Sequence, residues 1–328
     1  MIAHKMPKTW HVYRTDARMV GKSHRGKTKP RVKAGLYRCT DCDTYKTFDK
    51  FTKNSSKKHG IQSFCKPCGV KIDKKRKAAP RGAINDLFNS ARGNSKQRAK
   101  NRPQMLDHDL PSNIDEQIAY FFELAERQNY LCAISGRLLD PRDASLERID
   151  EDKPYTKTNL CLISRDFQSG SPKSNHDDAS SQWTRAKFDE VGQLRVTDFE
   201  PNYDLWDRAL STPYKKNATT PEQTLRRRMN RANKNAKKHT IDRNTRGRKH
   251  CKPEIDEAFL VELFKRQGGR CFYTLVPLSV HGHYKFSIER MDDDIGYTKA
   301  NTVLVIMEVN HGNAKWSKAK ADDYWGAL

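Results

Sequence analysis

The sequence predicts an α+β chain: an N-terminal four-cysteine module, then two tandem copies of one strand–loop–strand–helix unit, joined by basic helices and linkers. Three observations carry this. Two Cys-x-x-Cys pairs stand 22 residues apart, a 15-residue segment recurs 142 residues downstream, and the excess Lys and Arg gather in three stretches. A chain of 328 residues has room for two or three domains. The expected boundaries are a basic arm at 1–35, the cysteine module at 36–80, a first unit at 81–190, a linker at 191–220 and a second unit at 221–328.

The charge comes first along the chain. Residues 1–38, 71–102 and 221–252 carry net +10, +9 and +10, more together than the whole chain's +23. Basic segments between near-neutral bodies suit arms and helices that neutralise phosphates, so a nucleic acid is the expected partner. In the third stretch the candidate phosphate contacts are Arg226, Arg227, Arg228, Arg231, Lys234, Lys237 and Lys238. No apolar run approaches the roughly 20 residues of a membrane span, and the N-terminus "MIAHKMPKTWHVYRTDARM" lacks the apolar core of a secretion signal. A reducing compartment, the cytoplasm of a bacterium or infected host, is therefore expected.

The cysteine module reads "CTDC", Cys39 and Cys42, and "CKPC", Cys65 and Cys68. Each pair can grip one metal ion, and four thiolates favour tetrahedral Zn²⁺ over hard cations. With all four positions filled by protein, such a site is structural and closed, one zinc per chain. A helix is expected to follow through "GVKIDKKRK". Cys132, Cys161 and Cys271 lack this spacing and are expected as small buried hydrophobes.

The repeat is longer than its most similar segment. "SLERIDEDKPYTKTN" (145–159) and "SIERMDDDIGYTKAN" (287–301) share Ser, Glu, Arg, Asp, Tyr, Thr, Lys and Asn. Upstream of each lies a helical pattern. The first carries Ile114, Ile118, Phe121, Phe122 and Ala125, with Ser112 as the expected N-cap. The second carries Ile255, Phe259, Leu260, Leu263 and Phe264, with Pro253 as the expected first helical residue. A basic segment precedes each helix, and a cysteine follows it. Beyond the second copy, Thr302 to Met307 reads as a buried strand leading to a short helix at Asn310. In the first copy Gln168 holds the place of Asn310.

This arrangement resembles the HNH, or ββα-metal, endonucleases, among them phage homing enzymes and the Pac-type restriction enzymes. The resemblance covers the cysteine module once and the nuclease unit twice, and it implies two tandem ββα-metal (HNH-like) units. It implies a catalytic divalent cation, Mg²⁺ or similar, held by Glu289 and Asn310, with Asn301 pinning the loop between the strands. Arg290 stands where the family usually has its His base, and there it would clamp phosphate oxygens. The corresponding first-copy residues are Glu147, Arg148, Asn159 and Gln168. Asp292 and Tyr297 would shape the loop. By comparison with the Pac-type enzymes the general base falls on His239; His281 and His283 are alternatives, and the first unit shows Lys100 near that place. The implied activity is single-metal hydrolysis of phosphodiester bonds in double-stranded DNA by a phage or mobile-element endonuclease, the second unit cutting and the first weakened. A fused pair could also act as a pseudo-dimer on both strands. The alternative is a non-catalytic DNA-binding protein descended from duplicated units.

Overall fold

The computed structural model describes residues 5–19, 31–106, 108–168, 182–245, 251–310 and 315–328. Parts of the expected arm (1–4 and 20–30) and of the expected first unit (169–181) lie outside the described residues. The chain is mixed α+β, helices with small sheets. It divides into two compact units, Met1–Leu131 with Leu138–Leu162, and Cys132–Arg137 with Ile163–Leu328.

The first unit opens with α1 (Lys8–Arg18). Its apolar residues Trp10, Tyr13 and Ala17 fall on one helical face and are buried. Trp10 stacks on Phe121 with centroids 5.7 Å apart, and its Nε1 donates to the Leu139 carbonyl at 2.7 Å. Residues 8–18 of the expected arm are therefore a core helix, because three well-spaced apolar side chains outweigh the basic residues around them. Strands β1 (Val32–Lys33), β2 (Leu36–Arg38) and β3 (Tyr45–Lys46) form an antiparallel sheet, and β4 (Phe51–Lys53) pairs with β5 (Ile61–Cys65).

The helix expected after the second cysteine pair is α2 (Lys66–Ala78), with Lys75, Arg76 and Lys77 in its last turn, where cations complement the dipole. It breaks at Ala79 (φ −78°, ψ 141°) because a residue before proline is pushed out of the helical region. Pro80 then starts α3 (Pro80–Ala99), whose buried side includes Ile84, Phe88 and Ala91. Helix α4 (Ile114–Arg127) is capped by Asn113, whose side chain accepts from the Glu116 N–H at 2.9 Å. The cap thus falls one residue after Ser112. Strands β6 (Ala144–Arg148) and β7 (Leu160–Ser164) pair around the first motif.

The second unit contains α5 (Arg185–Val196) and α6 (Tyr203–Ser211). The expected linker is therefore half helical, and its helix α6 is packed. Trp206 stacks flat on Phe264 at 4.0 Å, and Lys265 Nζ meets Asp207 at 2.7 Å. Helix α7 (Pro221–Thr245) buries Leu225, Met229, Ala236 and Thr240 along one stripe. Helix α8 (Glu257–Arg266) is capped by Asp256, which accepts from Phe259 N–H at 2.8 Å. Pro253 precedes the helix rather than starting it, since the aspartate cap fixes the boundary. Strands β8 (Phe286–Arg290) and β9 (Thr302–Ile306) pair antiparallel, with Glu289 opposite Val303. Two short helices end the chain, α9 (Met307–Asn310) and α10 (Lys318–Trp325). The predicted strand from Thr302 thus passes into helix one residue early, at Met307. Among the described residues no helix is long and apolar enough to cross a membrane.

Candidate functional site

Cys39 leaves β2, Cys42 lies in the turn before β3, Cys65 ends β5 and Cys68 sits in the first turn of α2. Two small sheets and a helix start therefore converge on one point. The four Sγ atoms all lie within 4.8 Å of one another, Cys42 and Cys65 at 4.0 Å. A tetrahedral zinc with bonds of about 2.3 Å needs sulfur separations near 3.8 Å. The Cys65 N–H donates to Cys39 Sγ at 3.2 Å, and Lys46 Nζ to Cys65 Sγ at 3.2 Å. Such donors stabilise thiolates. The Thr44 hydroxyl beside Cys42 holds that thiol down at about 6, whereas Asp41 pushes Cys68 up. The four cysteines could hold a metal ion such as zinc. Among the described residues this is the one group of three or more His, Cys, Asp or Glu placed to do so.

Of the other cysteines, Cys132 and Cys271 are buried as expected. Cys132 Sγ accepts from the Ser164 N–H at 3.3 Å, and Cys271 Sγ from Ile306 N–H at 3.4 Å. Cys161 departs from the expectation: it is only half-buried.

The second motif is built on β8, β9 and α9. Ser287 and Glu289 stand two residues apart on β8 and so share a face. Asn310 Nδ2 donates to Ser287 Oγ at 2.5 Å and to the Ile288 carbonyl at 3.0 Å. The Asn310 amide therefore lies over the face that carries Glu289, with its nitrogen committed and its orientation fixed. Glu289 accepts from the Arg290 N–H at 2.8 Å, and burial pushes its carboxyl above the ordinary glutamate range. Asn301 holds the loop. Its Oδ1 accepts from Asp292 N–H at 2.8 Å, and its Nδ2 donates to the carbonyls of Asp292 and Gly296 at 2.9 and 3.1 Å. Asp292 Oδ1 in turn accepts from Asp294 N–H at 2.8 Å. Arg290 pairs with Asp293 at 3.3 Å and lies over the Tyr297 ring at 5.3 Å.

The first motif repeats this loop almost bond for bond. Asn159 Oδ1 accepts from Asp150 N–H at 2.8 Å, and its Nδ2 donates to Asp150 and Pro154 carbonyls at 3.0 Å each. Glu147 accepts from Arg148 N–H at 2.8 Å. Arg148 differs from Arg290: it is buried, donates to the carbonyls of Glu151 and Lys153, and covers Tyr155. It braces its own loop. Gln168 ends a short 3-10 turn, Arg165–Phe167, that stands where α9 stands in the second copy.

His239 lies within α7, six residues before its end, and is exposed. Its neighbour Thr240 touches the motif, the hydroxyl accepting from Tyr297 N–H at 3.1 Å. On the same helix Arg231, Lys234, Lys237 and Lys238 are exposed, while Arg226, Arg227 and Arg228 are half-buried. Arg227 donates to the Lys216 carbonyl at 3.3 Å. His281 and His283 sit in the loop before β8, their carbonyls accepting from the Ser279 hydroxyl. Lys100 caps the C-terminal end of α3.

Two residues with matching roles have no counterpart among the sequence-based expectations. Gln128 closes α4 and Gln267 closes α8. Gln128 Nε2 donates to the carbonyls of Leu131 and Leu162, and its Oε1 accepts from Leu162 N–H. Gln267 makes the same three bonds with Arg270 and Leu304. The shared signal is Arg-Gln ahead of each repeat cysteine, in "ERQNYLC" and "KRQGGRC". Comparison with protein-family models, with curated proteins and with solved structures finds no match to this chain.

Proposed function

We propose that the chain is a metal-dependent DNA endonuclease of the HNH, or ββα-metal, type, with its active centre on the second motif and a structural zinc on Cys39, Cys42, Cys65 and Cys68. The observation that carries this reading is the placement of Glu289 and the Asn310 amide over one face of β8, with Asn301 fixing the loop between the strands. The Glu289 carboxylate and the Asn310 Oδ1 are hard oxygen donors suited to Mg²⁺. Bound there, the cation would polarise a phosphate and neutralise the leaving oxygen. Glu289 is already desolvated, so its charged form would be favoured by a cation held there. Arg290 stays charged at neutral pH and contacts phosphate oxygens by exchanging Asp293 for the substrate. His239 is exposed beside Thr240 and takes the proton of the attacking water once DNA is seated. The exposed lysines of α7 contact backbone phosphates.

In the first motif Arg148 is committed to its own loop and Gln168 replaces the Asn, so this copy holds DNA. The second reading, a non-catalytic DNA-binding protein, is favoured by the Arg in the place of the usual histidine base. A plasmid assay separates the two. Nicking with Mg²⁺, none with EDTA, and loss on the order of a thousandfold or more in Glu289→Ala and Asn310→Ala is expected. Tight DNA binding without Mg²⁺-dependent nicking establishes the second reading. Glu147→Ala should cost far less; if it spares nicking but abolishes linearisation, both motifs cut.

A further inference from the structure

The segments that follow the two strand pairs carry a second repeat. "WTRAK" (183–187) and "WSKAK" (316–320) each open a helix, α5 or α10. Thr184 and Ser317 are matching N-caps, accepting from Lys187 and Lys320 N–H groups at 3.1 Å each. The two lysines do not serve their own repeats. Lys187, from the first, pairs with Glu308 on α9 of the second at 3.0 Å, both side chains buried. The Trp183 Nε1 donates to the Glu308 carbonyl at 3.3 Å. Lys320, from the second repeat, pairs at 2.7 Å with Asp166 in the short turn of the first, where Tyr324 also donates at 3.0 Å. Asp166 and Glu308 occupy the same place in the two copies, 142 residues apart like the motifs.

All these residues belong to the second compact unit. We infer that the repeats exchange their terminal helices, so that Lys187 is a positioning residue for the Asn310 helix and Lys320 for the turn before Gln168. Asn310 lies two residues after Glu308 on a helix of four residues, too short to hold its own place. A buried ion pair fixes orientation well because its geometry tolerates little displacement. The exchange is that of a domain-swapped pair written into one chain: α9 of the second copy and the 3-10 turn of the first are each held by a lysine of the other repeat. The clamp stands on these side-chain pairings themselves; its bearing on cleavage rests on the endonuclease reading.

Hydrogen exchange of the full chain, read by peptide, tests the crossing. Lys320→Met should speed exchange about tenfold in 163–168 and leave 303–310 unchanged. Lys187→Met should do the reverse, and Glu308→Gln added to it relieves the stranded charge should the single variant fail to fold. Lys187→Arg and Lys320→Arg should restore parental exchange. Under the endonuclease reading, Lys187→Met/Glu308→Gln should lower kcat for nicking about tenfold or more with DNA affinity unchanged, while Lys320→Met keeps the parental kcat. Uncrossed loosening, equal loosening of both segments, or no change overturns the clamp. A parent that never nicks overturns the endonuclease reading alone, since exchange still decides the clamp.

Discussion

Asn301 shows how one amide determines a loop. It faces one backbone N–H and two carbonyls, so both ends of the amide are needed. Asn301→Ala removes all three bonds and should cost about 1–3 kcal/mol in urea denaturation. Asn301→Asp keeps the shape but sets acceptors against two carbonyls, and should cost at least as much. An Asp variant as stable as the parent would mean the loop is held by Asp292 and its neighbours. The left-handed turn that follows α4 in one copy and α8 in the other gives a related contrast. The second copy has Gly268 and Gly269 at φ 61° and 69°, the first Asn129 and Tyr130 at 52° and 62°. A tyrosine there is strained, and its ring packs on Trp10 at 5.4 Å. At Gly269 a Cβ would meet Pro201 Cβ at 2.6 Å, so that copy has no room for the same solution.

At the scale of the element, helices from the basic stretches differ in what they do with their charge. Helix α1 is a core element, and Trp10→Ala should destabilise the protein by about 3–5 kcal/mol in thermal or chemical denaturation. Removing residues 1–35 would therefore unfold part of the first unit rather than test an arm. The electrostatic test belongs on α7. Lys234→Glu, Lys237→Glu and Lys238→Glu together should reduce the slope of log K against log[salt] for duplex DNA by about one for each phosphate that the variant no longer neutralises. Substituting the half-buried Arg226 and Arg227 should reduce stability more than it changes that slope. An unaltered slope in the lysine variant places the DNA on another surface.

For the whole molecule, the features to test are the four-cysteine cluster and the net charge of +23. The small sheets around Cys39, Cys42, Cys65 and Cys68 share a compact apolar cluster with Phe51 and Ile61. A metal held by the four cysteines would cross-link this small core. Metal analysis should find one zinc per chain, absent from Cys65→Ser/Cys68→Ser. Chelation should render residues 36–75 sensitive to limited proteolysis and leave the 251–310 region resistant. Full zinc content in the double variant would show that the metal sits elsewhere. With a net charge of +23, the DNA binding proposed above should fall steeply with salt whatever the catalytic outcome.

The four-cysteine module, the paired strands around each Glu-Arg, the buried strand from Thr302 and the helices at 114–127 and 257–266 were legible in the sequence. Each rests on local periodicity, fixed spacing or repetition, which a linear reading can measure. That Asn301 and Asn159 pin their loops is what the family resemblance implies, and the bonds concerned are local, with partners within nine residues. The boundaries were less legible: the first cap falls on Asn113 rather than Ser112, and the second helix starts at Glu257 behind its Asp256 cap rather than at Pro253, because several nearby residues suit a helix start and only geometry ranks them. What the tertiary structure alone decided depends on distant partners. The residues around Trp10 resemble a basic arm until Phe121 and Leu139 are beside it, and residues 191–211 resemble a linker until Trp206 meets Phe264. The Lys187–Glu308 pair spans 121 residues and the Lys320–Asp166 pair 154. Charge complementarity between positions so far apart has no period to betray it, and chain connectivity favours pairing within a repeat. Only packing buries Glu308 against the lysine of the other repeat.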